Sequence, residues 1–256
     1  MIVFPEKKDY PDSFSILDNP EKDVKKYLRM VVSSAFAYFD ADPVTKYLFR
    51  KRFYIIDSFL KKVGMSKVKS ALDVGTGVGY FVPALASYAD KVVALDYSDD
   101  ILEYVAVMAK NRGLANVTTL RGDILKMPFP DNTFNLVICM SVLEHFKDLR
   151  DPLLELKRVL APGGILVTGY PSETAFFRFL HQKVIAWTTK KGKKAREYLN
   201  KNEESDDTAM HAPHVSNAED IQGAVEAAGL QEVTSKAIKL LPPFLELYRI
   251  NFLRKP

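Results

Sequence analysis

The chain has 256 residues, 47% of them hydrophobic and 27% charged, with a formal net charge of +4 at pH 7. This is the balance of a soluble globular protein long enough to bury a sizeable core, and four surplus positive charges are too few to argue for nucleic acid. Cys139 is the single cysteine, no apolar run reaches membrane-span length, and Met1 to Lys8 lacks the apolar core of a secretory signal. An intrachain disulfide and a cysteine-rich metal site are excluded, and cytoplasm is the expected compartment.

Two helices are expected first. Asn19 and Pro20 fit an N-cap and first helical position, and Val24, Tyr27, Leu28, Val31, Val32 and Ala35 follow at helical spacing. Asp42 and Pro43 repeat the signal, with Val44, Tyr47, Leu48, Ile55, Phe59 and Val63 as the apolar face and Gly64 as the stop. Residues 1–66 therefore read as a helical extension. Its aromatics Phe36, Tyr38, Phe39, Phe53 and Tyr54 suit either core packing or the lining of a substrate pocket.

The stretch ALDVGTGVGYFVPALA, residues 71–86, changes the pattern. Ala71 to Val74 read as a short buried strand, three glycines at alternate positions (Gly75, Gly77, Gly79) make a tight loop, and a helical pattern restarts from Tyr80. Glycine lets backbone approach a ligand where a Cβ would collide, and the helix start favours an anionic or polar group. The dinucleotide spacing G-x-G-x-x-G would need glycine at position 80, where Tyr80 stands, so an NAD reading weakens.

Strand and helix then alternate, which predicts a parallel sheet with helices on both faces. Lys91 to Asp96 is the second strand, and Ser98 is placed to cap a helix with Asp99 and Asp100 in its first turn and Ile101, Val105 and Met108 buried. Asn116 to Arg121 and Phe134 to Met140 follow as strands. Asp151 and Pro152 open a helix bearing Leu153, Leu156 and Leu160, which closes near Pro162, Gly163 and Gly164 before a fifth strand, Ile165 to Thr168. Residues 67–169 thus form a core unit, and 170–215 an insertion of the length usually reserved for caps or lids. Ser216 and Glu219 form a capping box for a helix ending at Gly229, and Gln231 to Leu241 and Leu247 to Leu253 are the last strands, so residues 216–256 complete the core.

Asp96 ends its strand about 20 residues beyond the first glycine, the separation at which a nucleotide-binding α/β unit sets an acid on a ribose diol. The same residue type serves NAD, so it does not by itself choose the cofactor. Asp123, after the third strand, can accept from an adenine amine while the N–H of Ile124 reaches a ring nitrogen, and Tyr97 and Ile124 can sandwich the ring; an ordinary loop aspartate is the other reading.

Taken in order, DVGTGVG, LDYS, RGDILKMPFPDNTFNLVICMSVLEHF and ELKRVLAPGGILV resemble the methyltransferase domain of ubiquinone and menaquinone biosynthesis methyltransferases and of many small-molecule methyltransferases, across roughly residues 70–170. The resemblance implies a Rossmann-like fold, a seven-stranded, mostly parallel sheet with an antiparallel last strand, and S-adenosyl-L-methionine as cofactor with S-adenosyl-L-homocysteine as product. It implies that Asp73, Gly75, Thr76, Gly77 and Gly79 border the methionine part, Asp96 holds the ribose, Tyr97, Asp123 and Ile124 hold adenine, and Met140 and Ser141 lie near the methyl group. Methyl transfer needs alignment and, for a weakly acidic hydroxyl, a base. Glu144, His145, His211 and His214 are the candidates. A structural His145 and exposed-loop His211 and His214 are the alternatives. No metal is expected, because His211 and His214 lack the i, i+4 spacing and Pro213 opposes a helix there.

Within the insertion, TAFFRFLHQKVIAW is followed by Lys190, Lys191, Lys193, Lys194 and Arg196 and then by Glu203, Glu204, Asp206 and Asp207. Such a segment suits a lipid-like substrate, a peripheral membrane contact, or plain packing with a solvated charged tail. The expectation is an enzyme that methylates a small-molecule or lipid-like acceptor at oxygen or carbon. The alternatives are a nucleic-acid methyltransferase that uses the basic insertion, disfavoured by CMSVLEH where N-P-P-Y or D-P-P-Y would stand, and a non-catalytic methyltransferase-like subunit.

Overall fold

The computed structural model describes residues 4–10, 43–171, 218–239 and 246–256. The expected helix from Asn19, the aromatics Phe36, Tyr38 and Phe39, Ser216, and nearly all of the 170–215 insertion with His211 and His214 lie outside the described residues.

Seven strands form one sheet: β1 (Val68–Val74), β2 (Ala89–Asp96), β3 (Val117–Arg121), β4 (Phe134–Met140), β5 (Leu160–Pro171), β6 (Gln231–Lys239) and β7 (Glu246–Arg254). Their order is β3-β2-β1-β4-β5-β7-β6. β1 to β5 are parallel, and β7 runs antiparallel between β5 and β6. The described helices are α1 (Pro43–Lys62), α2 (Val82–Tyr88), α3 (Asp99–Asn111), α4 (Arg150–Val159) and α5 (Ala218–Ala227).

The apolar pattern places these layers. β4 reads as a near-continuous apolar run because both of its faces are covered. On one face, Phe53, Ile56 and Leu60 of α1 and Ala84 and Leu85 of α2 pack against Ile138, Ile165, Val167, Ile250 and Phe252. On the other, Leu153, Leu156 and Val159 of α4 and Ile221 and Val225 of α5 cover Leu72, Val137, Cys139, Leu166 and Leu253. Ile101, Val105 and Met108 of α3 pack with Val82 and Ala94. Leu153 and Leu156 are fully buried, so truncating either to Ala would cost ~2–5 kcal/mol. Strand order reverses at β1, with β2 on one side and β4 on the other. The crevice beyond the carboxyl ends of β1 and β4 is the topological switch point where open α/β sheets bind ligands.

Several expected boundaries move. β1 and β2 begin earlier, at Val68 and Ala89, because these residues already pair with each other in the parallel ladder, as do Ser70 and Lys91. The helix expected from Tyr80 starts at Val82, with Tyr80 and Phe81 buried in the turn before it. Leu160 is the first residue of β5 rather than the end of a helix face. β5 starts there instead of at Ile165 because Pro162 to Gly164 form an irregularity within the strand, with the Gly163 N–H donating to the Lys255 carbonyl at 2.8 Å. Ser98 occupies the N-cap of α3, yet its side chain makes no cap bond; its own N–H donates to Asp96 Oδ1 at 3.2 Å instead. On α1, Tyr47, expected on the buried face, is 57% exposed, as is Tyr54 at 54%, while Val63 lies just past the helix end.

Candidate active site

The glycine loop closes the end of β1. The Thr76 N–H donates to the Leu95 carbonyl at 3.0 Å, which ties the loop to β2, and Thr76 Oγ1 donates to Asp73 Oδ2 at 2.6 Å. The Gly77 N–H donates to Asp96 Oδ2 at 3.0 Å, so the Asp96 carboxylate accepts from the loop on one side and from Ser98 on the other. Gly75 has φ +63°, and a Cβ built on it would sit 2.4 Å from Cγ2 of Val142, the residue just past β4. Only glycine satisfies both constraints. Gly77 also has a left-handed φ, but nothing lies within 4 Å of its would-be Cβ. The loop is therefore closed against β4 at Gly75 and open at Gly77.

Asp73 and Asp96 are each 2% exposed and face one another electrostatically across this loop. Burial pushes the Asp73 carboxyl up to about 7; the Thr76 hydroxyl opposes the rise and the Asp96 charge adds to it. A site with two buried carboxylates, one poised near neutral pH, is arranged for cationic and hydroxyl-bearing ligand groups.

A second wall follows β3. The Gly122 N–H donates to the Asp96 carbonyl at 2.9 Å, which brings Gly122, Asp123 and Ile124 beside the end of β2. Asp123 is exposed and accepts from the Leu125 N–H at 2.9 Å, whereas Ile124 is buried with Leu95 and Met127. Tyr97 is 60% exposed, with the Arg121 guanidinium 5.5 Å from its ring centre.

The third wall is the end of β4. Ser141 holds φ +57°, a conformation that non-glycine residues keep only where their surroundings impose it. Here the Ser141 N–H donates to the Gly169 carbonyl at 2.7 Å, and its Oγ lies 2.9 Å from the Tyr248 hydroxyl. Met140 packs against Gly169, where any Cβ would meet Met140 Cε at 2.5 Å and Tyr248 Cε1 at 2.7 Å. Glu144 and His145 form a 3-10 turn just beyond, Leu143–His145; Glu144 is buried and His145 half-buried. Burial first, and then the charges of Glu144 and Asp73, push the Cys139 thiol well up, so it stays protonated and unreactive. Among the described residues, no group of three His, Cys, Asp or Glu side chains is gathered to hold a metal.

Sequence reasoning missed three participants. Tyr248 and Gly169 reach the end of β4 from β5 and β7, a pairing that no local motif announces. Tyr10 is the third: its hydroxyl donates to the Val78 carbonyl at 2.7 Å, which fastens the start of the chain onto the glycine loop. The short N-terminal stretch is held in turn by the Arg112–Asp9 ion pair and by Asn111 Nδ2 donating to the Asp9 carbonyl at 3.0 Å.

The residues present fit S-adenosyl-L-methionine on their own chemistry. An open glycine cradle lies over a buried carboxylate at the end of β2, and a second acid stands at the end of β1. The two oxygens of Asp96 accept from the Gly77 and Ser98 N–H groups, at the floor of this cradle. A doubly wound sheet of this strand order with that loop at its switch point defines the Rossmann-like cofactor-binding class. Residues 72–168 match the family model described as a methyltransferase domain.

Among similar proteins, a demethylmenaquinone methyltransferase of Geobacillus stearothermophilus is 34% identical over 134 residues, which is 51% of this chain and 57% of that one. A sterol 24-C-methyltransferase of Aspergillus fumigatus is 34% identical over 106 residues, 41% of this chain and 28% of that one. The chain thus spans little more than half of the first relative's length and less of the second's. An S-adenosylmethionine-dependent methyltransferase from Aquifex aeolicus shares the fold with a TM-score of 0.53 at 22% identity, over 77% of this chain and 87% of that one.

Proposed function

We propose that this chain transfers a methyl group from S-adenosyl-L-methionine to a small-molecule or lipid-like acceptor, at oxygen or carbon, and releases S-adenosyl-L-homocysteine. The observation that carries the reading is the buried Asp96 carboxylate beneath the open Gly77 backbone, within a segment that matches a methyltransferase domain. The names of the menaquinone and sterol relatives support the acceptor class.

Bound at this cleft, the cofactor supplies a sulfonium-activated methyl group. The work left to the chain is binding, alignment and proton removal. Asp96 accepts from the ribose hydroxyls. Asp73, Gly75, Thr76, Gly77 and Gly79 border the amino-acid end, where a ligand ammonium group would keep Asp73 ionised. Asp123 accepts from the adenine amine, and Tyr97 and Ile124 flank the ring. Met140 and Ser141 adjoin the methyl end, where the buried shell around Gly169 excludes water. For a hydroxyl acceptor, Glu144 or His145 is the base, with His211 and His214 as the alternatives contributed by the insertion. Residues 67–169 are the cofactor unit, completed by 216–256, with 1–66 as an N-terminal helical extension and 170–215 as a substrate cap. We place the protein in the cytoplasm. Among the described residues, no helix is long and apolar enough to cross a membrane.

The test is transfer of labelled methyl from the donor to a panel of phenols, quinols, sterols and bulk RNA. Label on a small acceptor is expected. Label on RNA alone would overturn the acceptor class, and label on nothing would overturn the activity.

A further inference from the structure

We propose that Arg52 is the acceptor-selecting residue of this site and that it favours planar aromatic acceptors bearing a carboxylate. The inference rests on the reading of the cleft as a methyl-transfer site and adds the acceptor chemistry. Arg52 lies on α1, whose neighbouring Phe53, Ile56 and Leu60 are locked into the core, so the backbone that carries it is fixed. Its guanidinium carbon stands 3.6 Å above the centre of the Tyr248 ring and 4.3 Å from the centre of the Phe49 ring. Tyr248 in turn reaches Ser141 Oγ through its hydroxyl at 2.9 Å. A positive charge therefore sits one aromatic ring away from the end of β4, where the methyl end of the cofactor is proposed to lie.

Arg52, like Arg50, Arg150 and Arg254, has no ion pair among the described residues, whereas four other arginines do. Arg112 is paired with Asp9, Arg121 with Asp99, Arg158 with Glu155 and Asp131, and Arg249 with Glu246. Among the described residues, no carboxylate stands within ion-pair distance of Arg52; its described contacts are the two rings. The two rings hold the guanidinium in place, and a guanidinium can meet a carboxylate with two parallel hydrogen bonds. The group is half-buried, so an ion pair formed there is screened less than one on the surface. Phe49, half-buried beside the guanidinium, provides apolar surface for a flat acceptor to pack against, while the buried Tyr248 ring supports the guanidinium from below.

The experiment is calorimetric titration of the full chain, saturated with S-adenosyl-L-homocysteine, with 1-hydroxy-2-naphthoate and its uncharged carboxamide. The wild type is expected to bind the carboxylate about tenfold more tightly than the amide. Arg52→Gln should bring the two probes to within about twofold, whereas Arg52→Lys, a point charge without the fork, should keep part of the preference. Both variants should bind S-adenosyl-L-homocysteine as the wild type does and melt within a few degrees of it. Equal binding of the two probes by the wild type, or an undiminished preference in Arg52→Gln, overturns the proposal. Absence of S-adenosyl-L-homocysteine binding would instead overturn the methyltransferase reading, and the two probes are then compared on the cofactor-free protein, where the same outcomes decide the role of Arg52.

Discussion

Replacing Asp96 by Asn separates the two tasks that the geometry assigns to one carboxylate. Asp96 supports the fold by accepting from Gly77 at 3.0 Å and Ser98 at 3.2 Å, and it is proposed to accept from the ribose hydroxyls of the cofactor. Asn keeps the size but is neutral and offers one acceptor oxygen, so one of the two backbone N–H groups keeps a neutral acceptor and the other loses its acceptor. Hydrogen bonds to charged groups are worth ~1.5–3 kcal/mol, and part of that loss is offset because removing the Asp96 charge relieves its repulsion with Asp73. For a chain of this size a net destabilisation of ~1 kcal/mol lowers the melting temperature by about 2–4 °C. The effect on binding is larger. Loss of the charge-assisted contact to a ribose diol weakens S-adenosyl-L-homocysteine by ~1.5–3 kcal/mol, roughly 10- to 150-fold. Calorimetry for affinity and a thermal melt for folding read the two effects separately. A folded Asp96→Asn protein with unchanged affinity would refute the reasoning and leave Asp96 a purely structural acid.

Further expectations follow from the same loop. Because the Asp73 carboxyl is raised to about 7, the folded chain holds this proton more tightly than the unfolded chain does, so its contribution to stability is full below about pH 4 and is lost as pH rises through 7. The fall is at most ~4 kcal/mol, Asp73→Asn should flatten it in melts between pH 4 and 7, and cofactor affinity in the wild type should increase over the same window as Asp73 ionises. Gly75→Ala meets both a left-handed φ and Val142, and should cost ~1–3 kcal/mol; the double variant with Val142→Ala should recover the steric part while the backbone part remains, as melting temperatures will report. Tyr10→Phe leaves the buried Val78 carbonyl without this donor, costing ~1–3 kcal/mol, and should speed hydrogen exchange across residues 75–79.

Much of this architecture is legible locally, because strand and helix periodicities are set by near neighbours. FNLVICM reads as a buried strand, and β4 runs over those same residues. The Gly75, Gly77 and Gly79 spacing announces a tight loop, and the loop's left-handed φ values bear that out. What was not legible depends on tertiary pairing. Ser98 sits at the N-cap as expected, but its side chain makes no cap bond there, and its backbone N–H serves the Asp96 carboxylate. The PGG segment looks like a break, yet pairing with Lys255 at the far end of the chain draws it into β5. Ser141 and Tyr248 are 107 residues apart and meet only because β7 inserts beside β5. Arg52 looks like one more surface charge on an amphipathic helix until the Tyr248 ring is placed beneath it.

The central claim is that this cleft takes a sulfonium nucleoside and not a dinucleotide. Calorimetric titration of the full chain with S-adenosyl-L-methionine, S-adenosyl-L-homocysteine and NAD tests it most directly. Saturable binding of both sulfur compounds, a raised melting temperature with each, and no binding of NAD are expected. Binding of NAD with no response to either sulfur compound would contradict it.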